Sequence, residues 1–359
     1  MAGSNVTIKD VAKAAGVSFK TVSNVINGND DQMRAETRER VENAIEKLGY
    51  RVNRSARALK TGRTGIIGLG IADFDQPFEG HLVNAFTRAA RARGYAVIVS
   101  IYGRDTVSRE EFAVNSRRVN ADGWALLYEE QMDATSPLFR QDYPMVLISD
   151  YSAQNRYDVI TMPNTDAARC ATLWLLERGA RTLGFIGAPC DLLSECYPDD
   201  TSREVAALTA VEGNAALRLQ GFIQALRSWG IAVNWDYILP CESMTGLGGS
   251  AAAFDLIQHR PLPDALLCVN DAVAIGAISM LDKSGIRVPQ DVQVCGFDNI
   301  PDGEFSTPPL TTVDPHINEY ATMAVEALIK RIDGHESSPS IYTSGFQMLE
   351  RRSTLPLAS

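Results

Sequence analysis

The spacing of hydrophobic and polar residues differs between the first 50 residues and the rest of the chain. Over the first 50 residues the apolar side chains recur three or four positions apart, which predicts three short amphipathic helices. The predicted inward-facing positions are Val11, Ala14, Ala15, Val22, Val25, Ile26, Val41, Ala44, Ile45 and Leu48. From Gly65 onward, short apolar runs alternate with longer amphipathic segments, a pattern typical of parallel β-sheets that helices cover on both faces.

Local signals mark where the first helices begin and end. Thr7, with Asp10 three residues later, forms a capping-box pattern, and Ser18 is the next N-cap candidate. Gly16 and Gly49 are predicted to end the first and third helices. The link AGVS between the first two helices has helix-turn-helix spacing and leaves the second helix free to enter a DNA groove. A generic three-helix bundle fits the same pattern, so spacing alone leaves both interpretations open.

The body contains seven apolar runs: GIIGLGIA, YAVIVSIY, WALLY, MVLIS, LGFIG, ALLCVN and VQVCGFD. So many parallel strands over about 290 residues predict two doubly wound subdomains, with a cleft at the carboxyl ends of the strands. The predicted fold class is therefore an N-terminal all-α helix-turn-helix domain followed by an α/β body of two parallel-sheet subdomains.

Charge separates the same two regions. Residues 1–62 hold 11 Lys and Arg against 7 Asp and Glu, whereas the remainder holds 23 against 37. A basic head on an acidic body confines the attraction for phosphate to the head. The formal net charge of -10 therefore does not argue against a nucleic-acid partner.

The sequence carries no recognisable catalytic or metal-binding motif. No GxGxxG opens a helix, and no P-loop, HExxH or GxSxG is present. The six cysteines form no CxxC pair, and the histidines show no metal-ligand or triad spacing: His81, His259, His316 and His335. We therefore expect no enzyme activity, no cofactor and no metal. Without a secretory signal or a membrane-spanning run, we expect a cytoplasmic protein with no membrane partner.

Four segments together resemble the lactose and galactose repressor (LacI/GalR) family of bacterial transcription regulators: TIKDVAKAAGVS, TVSNVING, ETRERVENAIEKLGY and RVNRSARALKTGRTGIIGL. The resemblance implies a repressor that binds pseudo-palindromic double-stranded operator DNA as a homodimer and is nucleoid-associated when bound. Its body would have the periplasmic-binding-protein-like architecture and hold a small effector in the cleft.

The resemblance also implies the domain bounds. They are 1–52 for the helix-turn-helix domain, 53–62 for a hinge helix and 63–359 for the effector-binding and dimerisation domain. Within the body, the N-subdomain is expected at about 63–162 and 314–340, and the C-subdomain at about 163–313 and 341–359. The chain would cross between them near Pro163, Val313 and Ile341.

The DNA-binding residues are carried over by the same resemblance. Phe19, Lys20 and Asn24 match positions that read base edges, and Asn24 stands where the family usually has Arg, which puts the half-site preference in doubt. The positions that grip phosphates and hold the register are Thr7, Ser18, Thr21, Ser23 and Asn27. In the hinge, Leu59 matches a leucine that wedges between base pairs of the minor groove, flanked by Asn53, Ala56 and Arg57. A plain basic linker is the alternative for this segment.

The candidate effector residues lie where predicted strands end. Asp150, Asn270 and Asp298 follow apolar runs, and Arg218 lies near the start of a predicted helix. Together with Phe74 or Phe78 as an apolar face, they predict a site for a sugar, because each sugar hydroxyl both donates and accepts hydrogen bonds. Capping of the following helix is an equally good explanation for Asn270, and Asp271 is expected to hold a loop.

Other ligands and another class of protein stay open. A nucleoside, a purine or a phosphosugar would suit the same regulator, and a sugar-binding protein without regulatory DNA binding is the alternative class. Residues 188–217 form a long insertion relative to the family. We expect it to be solvated rather than to cover the cleft with Tyr197 or an acidic residue.

Overall fold

The computed structural model describes residues 6–26, 33–50, 62–259 and 261–357. The predictions for Asn27, Asn53, Ala56, Arg57 and Leu59 fall outside the described residues. The chain divides into two compact units, Met1–Thr64 and Gly65–Ser359. Within the described residues, no helix is both long enough and apolar enough to cross a membrane.

The first unit contains three helices around a small apolar core. They are α1 (Ile8–Ala15), α2 (Phe19–Ile26) and α3 (Ala35–Leu48). Val11, Val22 and Val41 are fully buried at their centre. The prediction for Ala14 was wrong: Ala14 is exposed and Ala12 is buried instead. Both alanines are small and adjacent, so the sequence pattern could not decide which of them faces the core.

The predicted helix ends of this unit agree with the structure. The carboxylate of Asp10 accepts hydrogen bonds from the Thr7 backbone N at 2.8 Å and from the Thr7 hydroxyl at 2.7 Å. Gly16 and Gly49 end α1 and α3 with φ of 65° and 60°, a left-handed conformation that glycine adopts without strain.

The second unit alternates strands and helices. Its strands are β1 (Ile66–Ile71), β2 (Ala96–Ile101), β3 (Trp124–Leu127), β4 (Met145–Ile148), β5 (Asp158–Thr161), β6 (Leu183–Ala188), β7 (Ile238–Pro240), β8 (Ala265–Cys268), β9 (Gln293–Phe297), β10 (Thr311–Asp314), β11 (Ile341–Thr343) and β12 (Gln347–Leu349). Its helices are α4 (Pro77–Ala92), α5 (Thr106–Arg118), α6 (Asn164–Glu177), α7 (Asp200–Leu208), α8 (Asn214–Ser228), α9 (Gly246–His259), α10 (Asp271–Lys283), α11 (Asp302–Phe305) and α12 (Ile317–Ile332).

These strands form two sheets, which define two lobes. The first lobe has the order β11-β5-β4-β3-β1-β2, and the second has β12-β10-β9-β8-β6-β7. Neighbouring strands are parallel except for β10 and β12, which are antiparallel. The fully buried strands β3, β4 and β8 are continuous apolar runs because helices cover both faces of the sheets. The predicted doubly wound fold is confirmed.

The chain passes between the lobes three times. It leaves the first lobe between β5 and α6, returns after β10, and crosses again between β11 and β12. The last crossing lies between Thr343 and Gln347, a few residues after Ile341, because Ile341 pairs with Val159 of the first sheet. Three residues of strand are too short a signal to be assigned to one sheet from sequence.

Candidate functional site

The outer face of α2 is the candidate DNA surface. Lys20 is exposed and Phe19 is 48% exposed, whereas Thr21 and Asn24 are half-buried. Ser18 begins the helix: its Oγ accepts a hydrogen bond from the Thr21 backbone N at 3.1 Å and lies 2.9 Å from the Thr21 hydroxyl. This hydrogen bond satisfies one of the backbone donors that the first turn of a helix leaves unpaired. Contact of these residues with DNA stays a prediction.

A pocket of about 450 Å³ lies between the two lobes of the body, at the carboxyl ends of their strands. Five of the six predicted effector residues line it: Phe78, Asp150, Arg218, Asn270 and Asp298. Phe74 is not among the lining residues, and its side chain is 52% exposed. The loop after β1 turns at this point, where the Asp75 backbone N donates to Asp73 Oδ1 at 3.0 Å. Of these two phenylalanines it is Phe78, on the first turn of α4, that reaches the pocket.

Arg218 is the most tightly held of these side chains. It is buried, with Nε donating to Asn164 Oδ1 at 2.8 Å and an η nitrogen donating to the Val269 carbonyl at 2.5 Å. The same nitrogen lies 3.5 Å from Asp298 Oδ1, and the guanidinium lies 3.5 Å from the centre of the Phe297 ring. These partners fix one orientation of the guanidinium before any ligand binds.

Asp298 stands at the end of β9 in an uncommon backbone conformation, with φ of 111°. Burial raises its pKa to about 7, and the Arg218 guanidinium opposes that rise. The following turn is held by Asp271, which accepts from the Ile300 backbone N at 2.9 Å and from the Thr312 hydroxyl at 2.5 Å. Asp271 therefore holds the loop that carries Asp298.

Asn270 caps a helix and also lines the pocket, and its contact with an effector stays a prediction. Its Oδ1 accepts from the Val273 backbone N at 2.8 Å and so caps α10. Its Nδ2 faces the pocket, where it donates to the Met244 carbonyl at 2.9 Å and to Gln76 Oε1 at 3.1 Å. Gln76 precedes α4 of the first lobe, so this amide also joins the lobes.

Asp150 follows β4 and lies on the opposite lobe from Arg218. Its Oδ1 accepts from the Thr161 hydroxyl at 2.6 Å and from the Met162 backbone N at 3.3 Å. These bonds hold the carboxylate at the strand ends, where it lines the pocket.

Sequence reasoning missed a charged group on the first lobe. Arg104 follows β2 and Glu129 follows β3, and both line the pocket. Arg104 Nε donates to Asp73 at 2.7 Å, and an η nitrogen lies 3.7 Å from Glu129 Oε2. Burial raises the pKa of Glu129, and Arg104 opposes that effect. The same strand-end rule that selected Asp150 would have selected both residues.

The insertion is more ordered and closer to the pocket than expected. Its middle forms α7, which packs against α8, and Tyr197 is not among the residues that line the pocket. Its two ends contribute pocket residues: Pro189, Asp191, Glu212 and Gly213. The expectation of a purely solvated excursion was therefore wrong, because the chain must return to the cleft to begin α8.

The described residues contain no group of three or more His, Cys, Asp or Glu side chains that could hold a metal ion. The six cysteines are free thiols. The pocket is lined by hydrogen-bond donors and acceptors and by three aromatic residues, Phe78, Tyr151 and Tyr320.

Comparison with known proteins matches both units. Residues 7–53 match the model for bacterial regulatory proteins of the lacI family, and residues 174–354 match the model for a periplasmic binding protein-like domain. The HTH-type transcriptional repressor PurR of Glaesserella parasuis is 30% identical over 335 residues, which cover 93% of this chain and 92% of that protein.

Solved structures give the same result. The lac repressor dimer bound to operator and the anti-inducer ONPF matches this chain with a TM-score of 0.74 at 25% identity. The match covers 98% of this chain and 99% of the lac repressor chain. The transcriptional regulator CelR in complex with cellobiose matches this chain with a TM-score of 0.69 at 27% identity. The match covers 97% of this chain and 99% of the CelR chain.

Proposed function

Because the chain belongs to the LacI family of bacterial regulatory proteins and is a DNA-binding transcriptional repressor rather than an enzyme, we propose that a sugar-like effector controls its operator affinity. The effector would bind in the pocket between the lobes. The observation that carries this proposal is the buried Arg218–Asp298 pair, which lines one pocket together with Asn270 of the same lobe and Asp150 of the opposite lobe. A ligand rich in hydroxyl groups satisfies such closely placed donors and acceptors.

The charge of the pocket favours a neutral ligand over a phosphorylated one. Five carboxylates line it, against the guanidiniums of Arg104 and Arg218: Glu129, Asp150, Asp191, Glu212 and Asp298. Both guanidiniums already lie beside carboxylates. A phosphate group would therefore meet an excess of negative charge, whereas hydroxyl groups can donate to the remaining carboxylates.

A nucleoside is the second candidate. Phe78 and Tyr151 line the same pocket as the carboxylates, so a flat base has aromatic neighbours while its ribose has polar ones. CelR, with cellobiose bound, supports the sugar as the first candidate because its fold and length match this chain.

We also propose that the protein acts as a homodimer on a pseudo-palindromic operator. On α9 of the second lobe, Leu247 and Phe254 lie two helical turns apart, and their side chains are 80% and 51% exposed. The apolar strand β2 forms an edge of the first sheet and is only partly covered. A second copy that covers such surfaces removes them from water and supplies a second helix-turn-helix unit.

The DNA contacts complete this proposal. Phe19, Lys20 and Asn24 would read bases from α2, while the hinge segment with Leu59 would enter the minor groove. Effector binding would change the closure of the lobes and so the relative affinity for operator DNA. The DNA residues and the hinge rest on the family resemblance and the exposed face of α2.

A ligand screen on the intact dimer tests the effector proposal. Thermal shift with cellobiose, monosaccharides, nucleosides and phosphosugars should show a rise in melting temperature with a neutral sugar, because a ligand that binds only the folded state stabilises it. Fluorescence anisotropy with operator DNA should then show a change in affinity with the same ligand. Asp150→Asn should weaken both responses, and Asp142→Asn, an exposed aspartate outside the pocket, should leave them unchanged. Stabilisation by nucleosides alone would replace the sugar with the second candidate.

A further inference from the structure

The end of the insertion makes a polar contact between the lobes. Glu212 Oε2 accepts a hydrogen bond from the Ser152 backbone N at 3.0 Å, and its Oε1 accepts from Gln131 Nε2 at 3.2 Å. Gln131 follows β3 and Ser152 follows β4, both in the first lobe, whereas Glu212 lies two residues before α8 of the second. One carboxylate therefore joins the two lobes through two partners.

Gly213 brings the backbone close enough for this contact. Its backbone N donates to the Asp150 carbonyl at 2.8 Å, and its φ is 86°. A Cβ at this position would lie 3.0 Å from the Tyr151 hydroxyl. A side chain here would be strained and crowded, so glycine allows the insertion to lie directly on the strand end that carries Asp150.

The contact is located at the proposed effector site. Glu212 and Asp150 line the pocket between the lobes and also a second cavity of about 430 Å³. Glu212 therefore lies between the two cavities, half-buried, beside the effector residue Asp150. A change in its hydrogen bonds would act on the pocket by changing how firmly the lobes are held together.

We propose that Glu212 is a positioning residue of the effector site, a latch that holds the lobes together over the pocket. The effect on ligand binding rests on the proposed function; the latch itself does not. A ligand enclosed by both lobes leaves only when they separate, so the latch lengthens the lifetime of the bound state.

Hydrogen–deuterium exchange on the full-length protein without ligand tests the latch directly. Glu212→Ala removes both acceptor oxygens, and the loss of two hydrogen bonds should accelerate exchange about tenfold in peptides that cover 150–154 and 211–216. Glu212→Gln keeps an oxygen for the Ser152 backbone N and should restore most of the protection. Glu195→Ala, which removes an exposed carboxylate of the same insertion, should leave exchange in both peptides unchanged.

Three results would overturn the latch. They are unchanged exchange in Glu212→Ala, an equal acceleration in Glu195→Ala, and a Gln variant that behaves like the Ala variant. If Glu212→Ala also loses protection in β8, the variant is unfolding, and Gln131→Ala then decides. That change lies on the first lobe outside the insertion: an acceleration of about threefold in the same two peptides supports the latch, and no change refutes it.

Binding kinetics with cellobiose as the probe test the consequence for the effector. Glu212→Ala should raise the dissociation rate constant about tenfold, since the bound ligand leaves only when the lobes separate. Equal rate constants in both proteins would refute an effect on ligand lifetime. If the wild-type protein does not bind cellobiose, the choice of sugar is wrong, and the exchange experiment still decides the latch.

Discussion

Arg218→Ala should destabilise the body by an amount that depends on pH. Near pH 6 the main loss is hydrogen bonding, because the Val269 carbonyl and Asn164 Oδ1 each lose a buried donor. An unsatisfied buried acceptor costs about 1–3 kcal/mol, part of which rearrangement recovers. At higher pH Asp298 of the variant must either stay protonated or ionise without its cation, and both alternatives add to this loss.

The sign of the pH effect follows from the pKa of Asp298. Burial raises that pKa to about 7 in the folded protein, so the folded state binds the proton more tightly than the unfolded state does. In the wild-type protein this carboxyl therefore lowers stability as the pH rises toward 7 and adds no further loss above it. Without Arg218 its pKa rises further, and the loss continues above pH 7 at up to about 1.4 kcal/mol per pH unit.

Urea unfolding of the full-length protein at pH 6 and pH 8.5, followed by circular dichroism, measures this difference. Arg227→Ala is the matched control, because Arg227 lies on the same helix, is 61% exposed and pairs with Glu204 at 3.3 Å. Such an exposed pair contributes about 0–1 kcal/mol. The reasoning fails if the loss of stability in Arg218→Ala is the same at both pH values, or if it is no larger than in the control.

Three further predictions concern other parts of the chain. Gly276→Ala should destabilise the body by about 1–3 kcal/mol in urea unfolding, because its Cβ would lie 2.0 Å from the Gly246 carbonyl, whereas Gly80→Ala has open space and should stabilise it by about 0.5–1 kcal/mol. Phe254→Glu should shift the protein from dimer to monomer in sedimentation velocity, and an unchanged dimer would exclude this face of α9 from the interface. Leu59→Ala should weaken operator binding by roughly tenfold or more in anisotropy without changing the melting temperature of the body; unchanged operator affinity would remove Leu59 from the DNA contacts.

The helices of the first unit could be predicted from the sequence because residues close together in the chain determine where they begin and end. The Thr7–Asp10 cap and the terminal glycines Gly16 and Gly49 act within a few residues, so their hydrogen bonds and backbone angles follow from neighbours in the chain. The bounds of α3 could be read in the same way. Only Ala14 was misplaced, since burial depends on which side of the helix the other helices contact.

Pairing partners and side-chain direction in the body depend on residues far apart in the chain. Strands β7, β11 and β12 are each three residues long, and pairing with their neighbours in the sheet is what stabilises them. They contain no apolar run from which the sequence could have predicted them. Two phenylalanines four residues apart looked alike as pocket candidates, and only the start of α4 distinguished Phe78 from Phe74.

The sequence by itself determined the helix-turn-helix unit, the doubly wound body and the strand ends where Asp150 and Asp298 stand. It did so because these features follow from hydrophobic period and from the direction of parallel strands. Only the tertiary structure decided that Arg218 is buried against Asp298, and that Glu212 reaches the opposite lobe. Both are contacts between segments distant in the chain: the first forms only once the second lobe has folded, and the second only once the two lobes have met.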